Sequence, residues 1–381
     1  MDLDWTEAEQ AFRAELRAFI AQHRRADWTH HERDMPRPED RDAVIAFCRA
    51  MGERGLLTPH WPVAYGGRAA SPWEQTIISE ELWAAGEPRG PQYMNTNWIG
   101  PAIMLAGTDS QKRFHLDLIA RGEAMWCQGF SEPDSGSDLA SLRTSAVRDG
   151  DVYVVNGQKI WTSYAHSADY CALLARTDPA STGGAGISIL LVPMDLPGVE
   201  VRDIPNPWVE HLFHEMWFTD VAVPVSCLLG REHLGWDTVR QVLANERVGI
   251  ARHECAERTL DAALAWAEST GADLDDPAVV ESVGMAYATC EAARALNYAA
   301  VQERTLDADS RRPLAAVSRS VTGPMEARVA QACMDALGPT GLVRHSPAER
   351  QLLMGTTGTI AAGSLEVQLN LIARHLGLPK G

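Results

Sequence analysis

The spacing of apolar residues changes twice along the chain, and no other feature of the sequence constrains the fold as strongly. Apolar residues recur at helical spacing up to about residue 122, and many alternate with polar residues between about 124 and 230. Helical spacing then returns from residue 233 onward. This order differs from the βαβ alternation of a doubly wound nucleotide-binding fold. We therefore expect an α+β multidomain protein with a helical N-terminal domain (1–122), a middle β domain (123–230) and a C-terminal helical bundle (231–381).

Local signals place the elements within these segments. Thr6 and Glu9 form a capping-box pattern at the start of the first helix. Asn156-Gly157 is typical of a tight turn at the end of an alternating strand. The Gly-rich string at 183–186 lacks the spacing of a dinucleotide fingerprint, so we expect a loop there. The expected helices are 42–54, 72–85, 110–121, 236–268, 277–305, 313–337 and 365–376, and the expected strands are 151–157, 170–175, 187–192 and 216–223.

The charge balance and the cysteines exclude several classes of protein. Of 381 residues, 34 are basic and 51 acidic, for a formal net charge of −17. A polyanion is not attracted to nucleic acid or to an anionic membrane, so neither is expected as the main partner. No apolar run is long enough for a spanning helix, and the acidic N-terminus lacks the pattern of a secretion signal. Seven cysteines without a CxxC pair are typical of reduced thiols, which predicts a cytoplasmic protein.

The densest polar cluster lies at residues 126–138. There an expected strand runs into a loop that carries Ser131, Ser135, Gly136 and Ser137. Backbone N–H groups and hydroxyls in such a loop suit a phosphate or an electron-rich ring. An ordinary surface connection uses the same residue types, so composition alone leaves both interpretations open.

A second cluster follows at residues 156–163, where a strand ends on Trp161, Thr162 and Ser163. An indole at a rim can form the wall of a site for a flat cofactor, and the adjacent polar groups can bond the edge of that cofactor. The alternative is a tryptophan of the hydrophobic core. The histidine pairs His30-His31 and His211 with His214 lack further ligands at a known metal spacing, so we expect loop histidines and no metal site.

Taken together, the two clusters resemble the acyl-CoA dehydrogenase family over essentially the whole chain. Residues 126–138 are similar to the family's "C…TEP.AGSD" signature, and residues 150–163 to its "Gly-Asp-x-Tyr…Asn-Gly-x-Lys-x-Trp-x-(Thr/Ser)" run. Further matches are Phe218 to Pro224, Leu229-Gly230, Glu246-Arg247 and Gly363 to Gln368.

This resemblance implies a flavoenzyme with a β-barrel-like middle domain and a C-terminal four-helix bundle, which binds FAD between the two with help from a neighbouring subunit. The implied substrate is an acyl-CoA or another acyl thioester, and the implied electron acceptor is an electron-transfer flavoprotein or a similar protein. The positions that match the family's flavin contacts are Gln128, Phe130, Ser131, Gly136 and Ser137 at the first cluster, Trp161, Thr162 and Ser163 at the second, and Ser364 and Glu366 on the ribityl-pyrophosphate side.

The catalytic base departs from the commonest family pattern. Many members carry a glutamate where this chain has Ala362, which cannot accept a proton although its backbone N–H is expected to bond the thioester oxygen. A subset of the family uses a glutamate before an arginine at the start of the last domain. Glu246 matches that position, so we expect Glu246 as the base and Arg247 beside the substrate. A flavin monooxygenase or oxidase without a base, and a non-catalytic partner subunit, remain alternatives.

Two motifs with which family members contact the flavin of a neighbouring subunit are altered in this chain. The usual "Arg-x-x-Phe-Gly" is replaced at 267–271 by a stretch without arginine or phenylalanine, and the "Gln-x-x-Gly-Gly" region reads Asp335 to Pro339. A lost guanidinium removes a charge-assisted contact with a pyrophosphate. The sequence therefore favours either a heteromer with a related chain or a homo-oligomer with rearranged FAD binding.

Overall fold

The computed structural model describes residues 5–25, 40–206, 212–246, 251–304, 313–344, 346–358, 360 and 363–378, and only the backbone at 243–246, 350, 354 and 356–358. Contacts between residues divide the chain into two compact units. One contains Met1–Arg33, Ser71–Pro88 and Arg247–Gly381, and the other contains Asp34–Ala70 and Arg89–Glu246. The units are grouped by contacts rather than by chain order, and the three sequence segments stay a prediction of domain boundaries.

The unit of residues 34–70 and 89–246 contains a mixed sheet and short helices. Its helices are α2 (Arg41–Glu53), α4 (Gln92–Met94), α5 (Gly100–Ala106), α6 (Asp109–Gln111), α7 (Asp117–Ala120) and α8 (Gly235–Glu246), with π-helical segments at Asn95–Ile99 and Lys112–Leu116. Its strands are β1 (Trp126–Gly129), β2 (Ser145–Asp149), β3 (Val152–Ser163), β4 (Tyr170–Arg176), β5 (Ile187–Pro193), β6 (Val199–Asp203), β7 (Phe213–Pro224) and β8 (Leu228–Leu229).

The sheet has the order β6-β7-β3-β2-β4-β5-β8, and β1 pairs with β4 in parallel. Every residue of β4 between its two ends is buried, because both faces of this central strand are covered. Trp61, Trp98 and Trp126 lie in one hydrophobic core of the unit. A second core contains Tyr153, Met216 and Phe218 from β3 and β7.

The other unit is helical. It consists of α1 (Glu7–His23), α3 (Pro72–Ala84), α9 (Arg252–Thr270), α10 (Pro277–Glu303), α11 (Leu314–Leu337), α12 (Pro347–Gly358) and α13 (Leu365–His375). The capping box at Thr6 and Glu9 is confirmed, since both of its hydrogen bonds are present. Small residues such as Ala263, Ala293 and Ala332 fill the core between α9, α10 and α11. Among the described helices, none is long and apolar enough to cross a membrane.

The structure confirms the α+β class and corrects several local predictions. The expected helix at 236–268 is described as α8 and α9, on either side of residues 247–250, and the sequence analysis missed α12. The helix expected at 110–121 is interrupted by a π-helical segment. None of the seven cysteines, all of them described, forms a disulfide, and only Cys227 is not buried.

The tight turn predicted at Asn156-Gly157 is wrong, because β3 continues through it to Ser163. Asn156 instead bonds across the sheet: its Nδ2 donates to Asp220 Oδ1 at 3.0 Å, and its Oδ1 accepts from the Asp220 N–H at 2.9 Å. The pairing of β3 with β7 shifts register between Val155 and Gly157. A β-bulge, rather than a reversal, therefore uses the Asn-Gly pair.

Candidate cofactor site

The site begins where β1 ends. Gln128 on β1 lies opposite Ala172 on β4, and the loop with Phe130 and Ser131 follows directly. The side-chain Nε2 of Gln128 is buried and has no hydrogen-bond partner among the described residues. Because buried amide groups are nearly always hydrogen-bonded in folded proteins, this atom is suited to a ligand.

A buried lysine joins the two clusters predicted from the sequence. Lys159 on β3 is fully buried, and its Nζ donates to the Phe130 carbonyl at 3.0 Å and to Glu132 Oε1 at 2.8 Å. The Ile160 N–H donates to the Ser131 carbonyl at 2.9 Å. These bonds hold the loop after β1 against the end of β3, so Ser131 lies beside the strand that carries Trp161.

Glu132 anchors the same loop through its carboxylate. Its oxygens accept from the backbone N–H groups of Arg143 at 2.6 Å and Thr144 at 2.8 Å. Burial alone would raise the pKa of Glu132, but the charge of Lys159 and these hydrogen bonds outweigh it and leave the pKa below its ordinary value. Burial lowers the pKa of Lys159, and the charge of Glu132 opposes that shift without cancelling it. The sequence analysis missed this pair, because a lysine in an alternating strand is usually a solvent-facing residue.

Trp161 lies on a second irregularity of β3. The register with β7 shifts between Lys159 and Thr162, and Trp161 has a φ of 60°. This conformation is rare for a residue with a side chain and occurs most often at functional sites. The indole is 56% exposed and meets Phe213 edge-to-face at a ring-centroid distance of 5.9 Å. The core interpretation of this tryptophan is therefore wrong, and its position at the rim of a cofactor site stays a prediction.

The two residues after Trp161 end the strand with polar side chains. Thr162 is 1% exposed, and its Oγ1 has no hydrogen-bond partner within the described part of the chain. Ser163 is half-buried at the last position of β3. The Thr162 carbonyl accepts from Nδ1 of His214 on β7 at 3.2 Å.

His214 corrects one expectation. It is fully buried and its Nε2 lies 3.0 Å from Nδ1 of His166, so it is not a solvated loop histidine. The alternation of β7 turns it toward the inner face of the sheet. His30, His31 and His211 lie outside the described residues.

Gly136 and Ser137 lie on the exposed side of the loop after β1. Ser135 beside them is buried, and its hydroxyl donates to the Asp138 carbonyl at 2.8 Å, which closes the turn. A Cβ atom added at Gly136 would meet nothing within 4 Å. Gly136 therefore faces open space, and its contact with the flavin stays a prediction.

Ser364 and Glu366 belong to the helical unit. Ser364 is the N-cap residue of α13, and it follows Gly363, whose φ of 90° favours glycine. Glu366 lies exposed in the first turn of α13, where its backbone N–H and the Ser364 hydroxyl lower the pKa of its carboxyl. The N-terminal turn of a helix is a common contact for the polar part of a nucleotide.

The predicted catalytic group falls largely outside the described residues. Glu246 is the last residue of α8, and only its backbone is described. Arg247 and Ala362 are not described. Their roles remain predictions from the sequence.

Three family models match the chain in succession. They are "Acyl-CoA dehydrogenase, N-terminal domain" over residues 6–123, "middle domain" over 127–221 and "C-terminal domain" over 233–377. Acyl-CoA dehydrogenase IpdE1 of Mycobacterium tuberculosis is 32% identical over 97% of this chain and 98% of that protein. The chain belongs to the acyl-CoA dehydrogenase family. Acyl-CoA dehydrogenase FadE34 of the same organism is 44% identical over 56% of this chain but only 29% of its own length.

Solved structures of acyl-CoA dehydrogenases share the whole fold. The structure titled "Tcur3481-Tcur3483 steroid ACAD" is 32% identical with a TM-score of 0.89 and covers 100% of both chains. The ChsE4-ChsE5 complex from Mycobacterium tuberculosis is 31% identical with a TM-score of 0.86, also over 100% of both chains. These likenesses confirm the family resemblance and the fold class predicted from the sequence.

FAD is the cofactor of acyl-CoA dehydrogenases, and the described residues of this family member fit it. A buried amide N–H and a buried hydroxyl without partners, at Gln128 and Thr162, are the groups that bond a heteroaromatic edge. The exposed indole of Trp161, the residue before Thr162 in β3, supplies an apolar wall. We therefore retain the predicted ring contacts as the candidate flavin site.

Proposed function

We propose that this chain catalyses FAD-dependent α,β-dehydrogenation of an acyl thioester, with an acyl-CoA as the substrate. The α-proton next to a thioester is weakly acidic, so its removal needs a positioned carboxylate and hydrogen-bond donors at the carbonyl oxygen. Bound FAD supplies the acceptor for the β-hydride. The protein's contribution is to hold the acyl thioester and the FAD in line and to accept the proton.

The observation that carries this proposal is the set of polar atoms without partners at Gln128 and Thr162 beside the exposed Trp161 indole. Ser131 is held against the same strand end by the buried Lys159 and the Ile160 N–H. A rigid rim with unpaired donors binds a preformed flat ring without a large reordering cost. The family's chemistry then assigns that ring to the isoalloxazine.

We assign the base to Glu246 and a substrate contact to Arg247. This assignment is supported by the sequence, because Ala362 leaves the commoner base position without a carboxylate. The backbone N–H of Ala362 would donate to the thioester oxygen. Nearby Arg247 would favour the ionised form of Glu246, which is the form that accepts the proton.

A heteromer is the proposed assembly. Two of the matched structures have titles that name two chains, and one of these titles describes a steroid ACAD. The altered stretch at 267–271 lies at the end of α9, where Gly271 closes the helix with a φ of 73°. By this reasoning a related chain would supply the missing flavin contact, and a steroid-derived acyl-CoA is the first substrate to test.

Anaerobic mixing with an acyl-CoA tests the reaction directly. We expect the flavin absorbance near its visible maximum to bleach without added NAD(P)H, and Glu246→Gln to slow the bleaching by about 100-fold or more. Glu349→Gln, on α12 of the helical unit, serves as the control for removal of a carboxylate and should leave the rate unchanged. Full bleaching rates in Glu246→Gln would remove the assigned base, and bleaching only after NAD(P)H would favour a monooxygenase.

The non-catalytic partner subunit remains a second candidate, because Ala362 and the altered stretch at 267–271 both weaken a self-sufficient enzyme. Flavin content distinguishes the assemblies. We expect substoichiometric FAD on the singly expressed chain and full occupancy after co-expression with a related chain. Stoichiometric, tightly held FAD on the single chain would contradict the heteromer, and a flavin-loaded complex that no thioester reduces would favour the non-catalytic role.

A further inference from the structure

A cluster of three ligand-type side chains lies in the helical unit and includes none of the residues assigned above. Glu80 on α3 faces His253 and Glu254 in the first turn of α9. The His253 Nε2 atom is 3.4 Å from Glu80 Oε1 and 3.4 Å from Glu254 Oε1. Glu80 and His253 are buried, and the side chain of Glu254 is 22% exposed.

These atoms face one another at ion-pair distance rather than in hydrogen bonds. Among the described residues, neither His253 Nε2 nor Glu80 Oε1 has a hydrogen-bond partner of acceptable geometry, although both are fully buried. Buried imidazole nitrogens and carboxylate oxygens are nearly always satisfied. Two such atoms aimed at the same small space therefore indicate a missing occupant that interacts with both.

The spacing matches a small divalent cation. Zinc binds imidazole nitrogen and carboxylate oxygen at ~2.0–2.2 Å in tetrahedral geometry, which separates neighbouring ligand atoms by ~3.3–3.5 Å. Both measured separations from His253 Nε2 fall in this range. A nitrogen ligand beside carboxylates favours zinc over magnesium or calcium, which prefer oxygen alone.

The surrounding side chains also carry a net negative charge, which favours the binding of a cation. The ionised side chains in contact within this network are Glu80, Glu81, Glu254, Glu257 and Glu291 on the acidic side and Arg13, Arg17 and Arg294 on the basic side. Arg13 bonds the other oxygen of Glu80, so Oε1 stays available. Five carboxylates against three guanidiniums leave two negative charges, which a divalent ion that replaces the proton on His253 Nε2 would neutralise.

We propose that Glu80, His253 and Glu254 bind a divalent cation of the zinc type, with water completing the coordination on the exposed side of Glu254. The ion ties α3 to the start of α9. Its role is structural, because none of its ligands belongs to the candidate flavin site. The sequence analysis expected no metal, since Glu80 is far from the other two ligands along the chain and no spacing motif connects them.

Metal content and spectroscopy test this site in the full chain. After purification, chelation and dialysis, we expect the protein to take up one zinc ion and to melt at a higher temperature with zinc than without it. His253→Ala should bind zinc at least ~10-fold more weakly and lose the zinc-dependent rise in melting temperature. His375→Ala, an exposed histidine on α13 of the same unit, is the matched control and should behave as the unsubstituted chain.

Glu254→Gln provides a second variant, because this partly exposed residue tolerates substitution more readily than a buried one. Cobalt in place of zinc should give the visible absorption bands of a tetrahedral site in the unsubstituted chain and not in Glu254→Gln. Absence of those bands, or equal zinc affinity in all variants, would overturn the proposal and leave a metal-free ion-pair cluster. Neither readout depends on flavin or on dehydrogenase activity, so both stand apart from the proposed function.

Discussion

At the scale of single residues, a substitution at Thr162 is expected to affect cofactor binding without reducing the stability of the fold. Its buried Oγ1 lacks a partner among the described residues, so Thr162→Val should leave the flavin-free chain equally stable or more stable. The same change should weaken FAD binding about 2- to 10-fold, which corresponds to the usual net free energy of one hydrogen bond. Thr259→Val is the control, because its Oγ1 donates to the Cys255 carbonyl at 2.8 Å. Flavin titration and urea unfolding measure the two effects, and a Thr162→Val chain that loses stability but keeps its flavin affinity would contradict this assignment.

At the same scale, Glu132 makes the free energy of unfolding depend on pH. Its folded-state pKa is lowered, so the folded chain binds fewer protons there than the unfolded chain. The resulting stability is present above the ordinary glutamate pKa of about 4.3 and is lost as pH falls through the lower folded value. The free energy of unfolding should therefore fall less steeply below about pH 4.3 in Glu132→Gln than in the unsubstituted chain. Asp134→Asn, whose side chain is 83% exposed, should keep the original slope.

At the scale of elements, the irregular strand β3 positions the rim of the site. Gly157 has a φ of 152°, and a Cβ atom there would lie 2.5 Å from Thr144 Oγ1. Gly157→Ala should therefore destabilise the chain by about 1–3 kcal/mol. Gly284→Ala on α10, where a Cβ meets nothing within 4 Å, should be neutral or stabilising. Chemical denaturation compares the two, and equal midpoints would show that β3 relaxes without cost.

The same strand shows what a sequence can and cannot predict. Period-2 alternation located β3, and the motif at 156–163 placed Trp161, Thr162 and Ser163 together at its end. The Asn156-Gly157 pair led to the wrong prediction of a turn. A local turn signal does not reveal that Asp220, from a distant part of the chain, bonds the Asn156 side chain. The Lys159 ion pair and the cluster around His253 were missed for the same reason, since each depends on residues that only the fold brings together.

At the scale of the whole molecule, neither compact unit is a continuous stretch of chain. Helices α1 and α3 pack in the helical unit, where Arg13 bonds Glu80 and Glu81, and Trp5 meets Tyr298 of α10 at a ring-centroid distance of 5.4 Å. A fragment of residues 1–122 therefore keeps the ion pairs between α1 and α3 but lacks α9 and α10, against which α3 also packs, and Tyr298. We expect it to show no cooperative thermal transition by circular dichroism, whereas the full chain should. A cooperative transition in the fragment would instead support residues 1–122 as an independent domain.

The exposed indole on β3 has an optical consequence. Trp61, Trp98 and Trp126 are sealed in the interior, where dissolved quenchers do not reach them, while Trp161 is open to solvent. Iodide should therefore dim its emission and leave theirs nearly constant, and a planar molecule stacked on the ring would shield it. Since the chain has twelve tryptophans, comparison with Trp161→Phe would isolate the part of the quenched emission that comes from the rim of the candidate site.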